Sequence, residues 1–199
     1  MSLLSLRLRI QDYLRVRGRR PILATLREAI HPGPEVRLLD VGGGTGVVTA
    51  LLTAGCREVV VLEPNPRNVA HGRDRRPHIR FEVGHAERLP FPDASFDVVL
   101  SLASFHHFAD PDRALREIRR VLAAEGRLVV EEFDPRRGKG KWLRHFGEHD
   151  RTLHSPERLR RRLEAQGFRD VRIKEDPLGY LAAAEIGPAG AITPSSHSP

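Results

Sequence analysis

The chain has 199 residues, 40% hydrophobic and 30% charged, which suits one globular domain with a sizeable core. A single cysteine, Cys56, excludes an internal disulfide framework and any zinc site built from several thiolates, and no apolar run is long enough to span a bilayer. The net charge of +7 admits an anionic partner, but of the 33 basic residues only Lys139, Lys141 and Lys174 are lysines and the arginines are spread along the whole chain, so nucleic acid is admitted without being favoured.

Residues 3–16 can form a helix with Leu3, Leu6, Ile10 and Tyr13 or Leu14 on one stripe. The alternation Leu4, Leu6, Leu8, Ile10 competes as a strand. Arg7, Arg15 and Arg17 would suit a membrane surface; the adopted reading is a helix packed over the domain, covering a ligand site. Arg7 and Arg9 interrupt any signal-peptide core, and the expected location is cytoplasmic. Gly18 to Arg20 should break the helix, and Pro21 should start a second one, about 21–30. Residues 1–35 are thus an N-terminal helical segment, 36–186 the main domain, and the Gly/Pro/Ser-rich 187–199 a disordered tail.

Leu38-Leu39-Asp40-Val41-Gly42-Gly43-Gly44-Thr45-Gly46 reads as strand (about 36–40), tight turn and helix (about 45–54). Glycine lets the backbone take positive φ and lets a ligand approach it, while the helix start offers unpaired N–H groups. Gly42, Gly44 and Gly46 give G-x-G-x-G. A dinucleotide fingerprint would put a third glycine where Val47 stands, and a phosphate loop would need Gly-Lys-Ser/Thr. The loop therefore suits a nucleoside-like ligand, and Asp40 suits a cationic group on it. A second apolar run, Val59-Val60-Val61-Leu62, ends in Glu63-Pro64, at the distance where such folds hold a ribose diol.

Asn65-Pro66 opens the next helix, and His78 to Val83 is a third strand, followed by Gly84-His85-Ala86-Glu87. Phe96 to Leu100 is a buried fourth strand, after which Ser101 to Ser104 should leave the sheet ahead of His106-His107. Asp110 caps a helix over about 111–122, with Ala114, Leu115, Ile118, Val121 and Leu122 inward. The turn Ala124-Glu125-Gly126 leads to a fifth strand, Arg127 to Glu131. Residues 134–154 form a basic segment that reads as a mobile lid. Its His145-Phe146-Gly147-Glu148-His149 matches H-x-x-E-H but contains a helix-weakening glycine, and no metal is expected. Ser155 caps a helix that stops at Gly167, and Phe168–Lys174 and Tyr180–Ile186 read as two further strands. Seven strands alternating with helices give an α/β, Rossmann-like doubly wound sheet, whose ligands bind at the carboxyl ends of the strands.

Leu38–Gly46, Glu63, Gly84–Phe91, Ser95-Phe96-Asp97-Val98-Val99 and His106-His107 together resemble class I S-adenosylmethionine-dependent methyltransferases, in the branch of the ubiquinone and menaquinone biosynthesis enzymes. The resemblance covers about residues 36–183. It implies a mostly parallel sheet closed by an antiparallel C-terminal hairpin, with S-adenosyl-L-methionine as cofactor and a small-molecule acceptor. By resemblance, Asp40, Gly42, Gly43, Gly44 and Gly46 hold the methionine part, Glu63 and Pro64 the ribose, and His85, Ala86 and Glu87 the adenine. Ser101 lies beside the methyl donor, and His107 orients the acceptor or takes its proton as the catalytic residue. The sequence departs from the family at His85, usually aspartate, and at Ala124-Glu125-Gly126, usually Pro-Gly-Gly. An RNA or protein methyltransferase, a non-catalytic S-adenosylmethionine-binding module and a nicotinamide-binding protein remain as alternatives, and the sequence leaves the acceptor and oligomeric state open.

Overall fold

The computed structural model describes residues 3–134, 136, 154–176 and 179–186, without the side chains of residues 3–6. Most of the basic segment read as a lid, with its H-x-x-E-H stretch, and the tail 187–199 lie outside the described residues. The seven strands are β1 (Arg37–Val41), β2 (Glu58–Glu63), β3 (Arg80–Val83), β4 (Phe96–Leu102), β5 (Leu122–Glu132), β6 (Phe168–Glu175) and β7 (Tyr180–Ile186). They form one sheet in the order β3-β2-β1-β4-β5-β7-β6. β1 to β5 run parallel, and β7 enters antiparallel between β5 and β6. The chain moves outward from β1 to β3 and then returns to the other side of β1. That reversal opens a crevice between the carboxyl ends of β1 and β4.

The apolar runs form central strands because both faces of the sheet are covered. Leu38, Val98, Leu100, Val129 and Leu181 face one side, where α2 (Leu23–Ile30) and α3 (Val47–Leu52) supply Leu26, Ile30, Val48 and Leu52. Leu39, Val99, Leu128 and Val130 face the other, with α5 (Pro111–Val121) and α6 (Pro156–Ala165). α4 (Pro66–Arg75) lays Val69 on Val61 and Phe81 beside the edge of the sheet. The helix starts follow local chemistry. Asn65, Asp110 and Ser155 each accept a backbone N–H of the first turn, with proline next in the chain.

Several boundaries differ from the sequence reading. α1 runs Leu3–Arg19, through Gly18, and a short 3-10 turn at Arg20–Ile22 carries the proline, so α2 begins only at Leu23. α3 is shorter than expected because Gly46, at φ 73°, delays its start. β4 continues to Leu102, so Ser101 stays in the sheet, paired with Val130. β5 begins at Leu122, opposite Phe96, and a bulge with Glu125 at φ 62° intervenes before Arg127 pairs with Val98.

The stripe of α1 is also reversed from expectation. Ile10, Tyr13 and Leu14 are 52%, 60% and 57% exposed, while Leu8, Asp12 and Arg19 are buried. The polar side turns inward because α1 packs on α3 and α4, beside the polar crevice rather than over an apolar core.

Candidate functional site

Asp40 ends β1 almost completely buried, at 1% exposure. Its Oδ2 accepts the Thr49 hydroxyl at 2.5 Å, from the first turns of α3. Its Oδ1 has no hydrogen-bond partner among the described residues. Burial lifts the carboxyl from an ordinary 3.8 to about 6, against the opposing effects of the Thr49 hydroxyl and Arg19. A buried acceptor without a donor is costly unless something else supplies one. The residues therefore fit a cationic ligand group at this point.

The glycine turn is shaped to leave that space open. Gly42 has φ 77°, and a Cβ there would lie 2.6 Å from the Ser104 Cβ. Its N–H donates to the Leu62 carbonyl at 2.7 Å, stitching the turn to β2. Ser104 closes the β4 side, its hydroxyl donating to the Val41 carbonyl at 2.8 Å.

Glu63 stands at the end of β2, buried. One oxygen accepts the Gly44 N–H at 3.1 Å; the other accepts the Asn65 N–H at 3.2 Å and the Asn68 amide at 2.9 Å. A carboxylate has about four acceptor positions. Three are used in fixing the loop, so a ribose hydroxyl would find about one left unless a donor moves aside. The sequence places Glu63 at a ribose by resemblance and gives no sign of these loop bonds.

The inner face of α1 meets the same loop. Arg15 lies so close to Gly44 that a Cβ there would collide with its guanidinium. The Thr45 hydroxyl donates to Asp12, which also pairs with Arg76 at 3.0 Å. Arg19 makes a buried ion pair with Glu131 at 2.9 Å; burial pushes the Glu131 carboxyl up, and Arg19 opposes the rise.

Two adjoining cavities result. One, about 450 Å³, lies between Glu63, Pro64 and Asn68 on one side and His85, Ala86, Glu87 and Phe108 on the other. The second, about 350 Å³, lies under α1 between Asp40, Gly43, Arg19, His106 and Phe133. Arg15, Gly42, Ala103 and His107 line both. Each volume is in the range of small-molecule sites.

The expected residues divide accordingly. Asp40, Gly42, Gly43, Glu63, Pro64, His85, Ala86, Glu87 and His107 all reach a cavity. Gly44 and Gly46 shape the turn from behind, facing Arg15 and Phe81. Ser101 is fully buried and reaches neither; its hydroxyl lies 2.8 Å from that of Ser104. His85 is exposed at the cavity rim, and Glu87 accepts the Ala109 N–H at 2.7 Å, tying the loop after β3 to the one before α5.

One arrangement was not anticipated. His106 is buried, and its Nδ1 lies 2.8 Å and 2.9 Å from the two oxygens of fully buried Glu132. Glu132 also accepts the backbone N–H groups of His106 and Phe133. A carboxylate taking donors from all these directions puts the ring proton on Nδ1. The His107 ring centroid is 3.9 Å from that of His106. The histidine pair was visible in the sequence, but Glu132 lies 26 residues on and meets it only because β5 pairs with β4. Among the described residues, no group of three or more His, Cys, Asp or Glu is placed to hold a metal ion.

The doubly wound sheet, with a glycine turn and the strand-end acids Asp40 and Glu63 at one cleft, has a Rossmann-like architecture. Residues 39–130 match the family model described as a methyltransferase domain. The ubiquinone/menaquinone biosynthesis C-methyltransferase UbiE of Rubrivivax gelatinosus is 40% identical over 110 residues, 55% of this chain and 43% of that protein. The uncharacterized methyltransferase YcgJ of Bacillus subtilis is 33% identical over 132 residues, 63% of this chain and 51% of its own. The chain thus spans about half the length of these curated relatives. A crystal structure of a SAM dependent methyltransferase from Aquifex aeolicus shares the fold, with a TM-score of 0.74 at 21% identity over 94% of this chain and all of that one.

Proposed function

We propose that the protein is an S-adenosyl-L-methionine-dependent methyltransferase acting on a small-molecule acceptor in the cytoplasm. The observation that carries the proposal is Asp40 Oδ1, a buried carboxylate oxygen without a donor beside a glycine turn, where the cofactor's ammonium would supply one. Gly42 and Gly43 let the methionine part lie on the backbone, backed by Gly44 and Gly46. Glu63, with Pro64, takes the ribose, and His85, Ala86 and Glu87 frame the adenine in the larger cavity.

When bound, the cofactor supplies a methyl group already activated by the sulfonium charge. The protein's work is then alignment and exclusion of water. The side of the cavity under α1 lined by Leu102 and Phe133, away from Asp40, receives the acceptor and keeps solvent from it. His107, which lines both cavities, is the proposed catalytic residue: it orients the nucleophile and takes its proton where one must leave. His106, locked by Glu132, holds the His107 ring in place from behind. Ser101 acts only through Ser104, by fixing the β4 side of the cleft.

Ion pairing favours a small acceptor over RNA. Arg37, Arg76, Arg120 and Arg162 are engaged by Asp97, Asp12, Glu117 and Asp112, which leaves less positive charge for a phosphate backbone. The test is thermal unfolding with S-adenosylmethionine, S-adenosylhomocysteine and NAD. Either adenosyl compound at about 100 times its dissociation constant should add about 2.7 kcal/mol. A shift with NAD alone would sink the proposal.

A further inference from the structure

Of the five large apolar side chains left exposed among the described residues, three stand on one face of α1: Ile10, Tyr13 and Leu14. Their spacing, i, i+3 and i+4, is that of a helix stripe made for burial. The fold does not bury it. α1 holds the domain by its opposite side, through Leu8, Asp12 and Arg19. Three large apolar groups are thus kept in water, and no tertiary contact in the described structure accounts for them.

The charge around the stripe is of one sign. Arg7, Arg17 and Arg20 are exposed on or beside it, and Arg17 Nη1 donates to the Tyr13 hydroxyl at 3.2 Å. The only acid in α1 is Asp12, which points inward to Thr45 and Arg76. An apolar strip bordered by arginines and bare of carboxylates matches a lipid interface carrying anionic headgroups. A second copy of this chain would set the same arginines against each other. Tyr13, with an apolar ring and a polar tip, suits the boundary between headgroup and acyl chain.

We infer that α1 docks the protein on an anionic membrane surface, lying in the interface with Ile10, Tyr13 and Leu14 turned into the lipid. Leu14 also lines the cavity under α1, so docking sets the mouth of that cavity at the membrane. The inference does not depend on the reaction the cleft performs.

The experiment is co-sedimentation of the full chain with phosphatidylcholine vesicles, with and without phosphatidylglycerol, at low salt. Each arginine near the surface is worth about fivefold in partitioning, so three should give on the order of a hundredfold preference for the anionic vesicles. Ile10→Glu/Tyr13→Glu should bind no better than wild type does to neutral vesicles, at an unchanged circular dichroism spectrum and thermal midpoint. Arg7→Gln/Arg17→Gln should lose about twentyfold and keeps the test valid if the glutamate pair misfolds. Equal binding to both vesicle types, or full binding by the glutamate variant, would overturn the inference. So would a lipid-free wild-type dimer that the glutamate variant converts to monomer, which would make this face a self-interface.

Discussion

Asp40→Asn is the substitution whose effect the structure sets most sharply, because it should separate stability from ligand binding. In the folded chain the carboxyl titrates at about 6, against an ordinary 3.8. Between those values the folded state holds a proton that the unfolded state has lost. Wild-type stability from this group is therefore fully present below the unfolded value and is lost as pH rises through the folded one. A shift of about two units corresponds to about 3 kcal/mol. Asparagine carries no such term, although its amide leaves a buried donor near the position of Oδ1, at a pH-independent cost of about 1–3 kcal/mol. The difference in unfolding free energy, variant minus wild type, should then rise by about 3 kcal/mol between pH 3 and pH 8. Urea unfolding at several pH values measures this directly. In thermal midpoint the same change is roughly 6–12 °C for a chain of this size. The variant should also lose the midpoint shift given by S-adenosylhomocysteine. A flat difference, or one that falls with pH, would show that Arg15 and Arg19 already stabilise the ionised form and would refute the reasoning.

Other substitutions probe separate parts of the site. Arg19→Met leaves fully buried Glu131 without its ion-pair partner and should cost about 3–5 kcal/mol in chemical denaturation. Gly42→Ala strains a residue at φ 77° against Ser104 and should lower stability by about 1–3 kcal/mol, with loss of the adenosyl-ligand shift. Glu63→Gln removes the charge that three donors now share; calorimetry should find S-adenosylhomocysteine binding weakened about 10- to 100-fold. Glu132→Gln turns an amide donor toward the His106 N–H or ring and should destabilise by about 1.5–3 kcal/mol in thermal or chemical unfolding.

Sequence alone carried the framework because its signals are local. Short β-branched runs such as Val59–Leu62 read as strands covered on both faces, and Asn65, Asp110 and Ser155 start helices with their own side chains. The glycine turn and the acids Asp40 and Glu63 were legible for the same reason: each sits at the end of a strand whose direction is fixed by its neighbours. Tertiary structure decided what depends on the surroundings of a residue. Periodicity located the stripe of α1 but not its direction, which follows from the polar crevice beneath it, where Asp12 and Arg19 find partners and a leucine would not. Ser101 lost its expected place in the cleft because pairing with Val130 carries β4 past it. The His106–Glu132 pair and the Gly44 N–H that Glu63 accepts come from segments brought together by strand register, a relation that no spacing along the chain encodes.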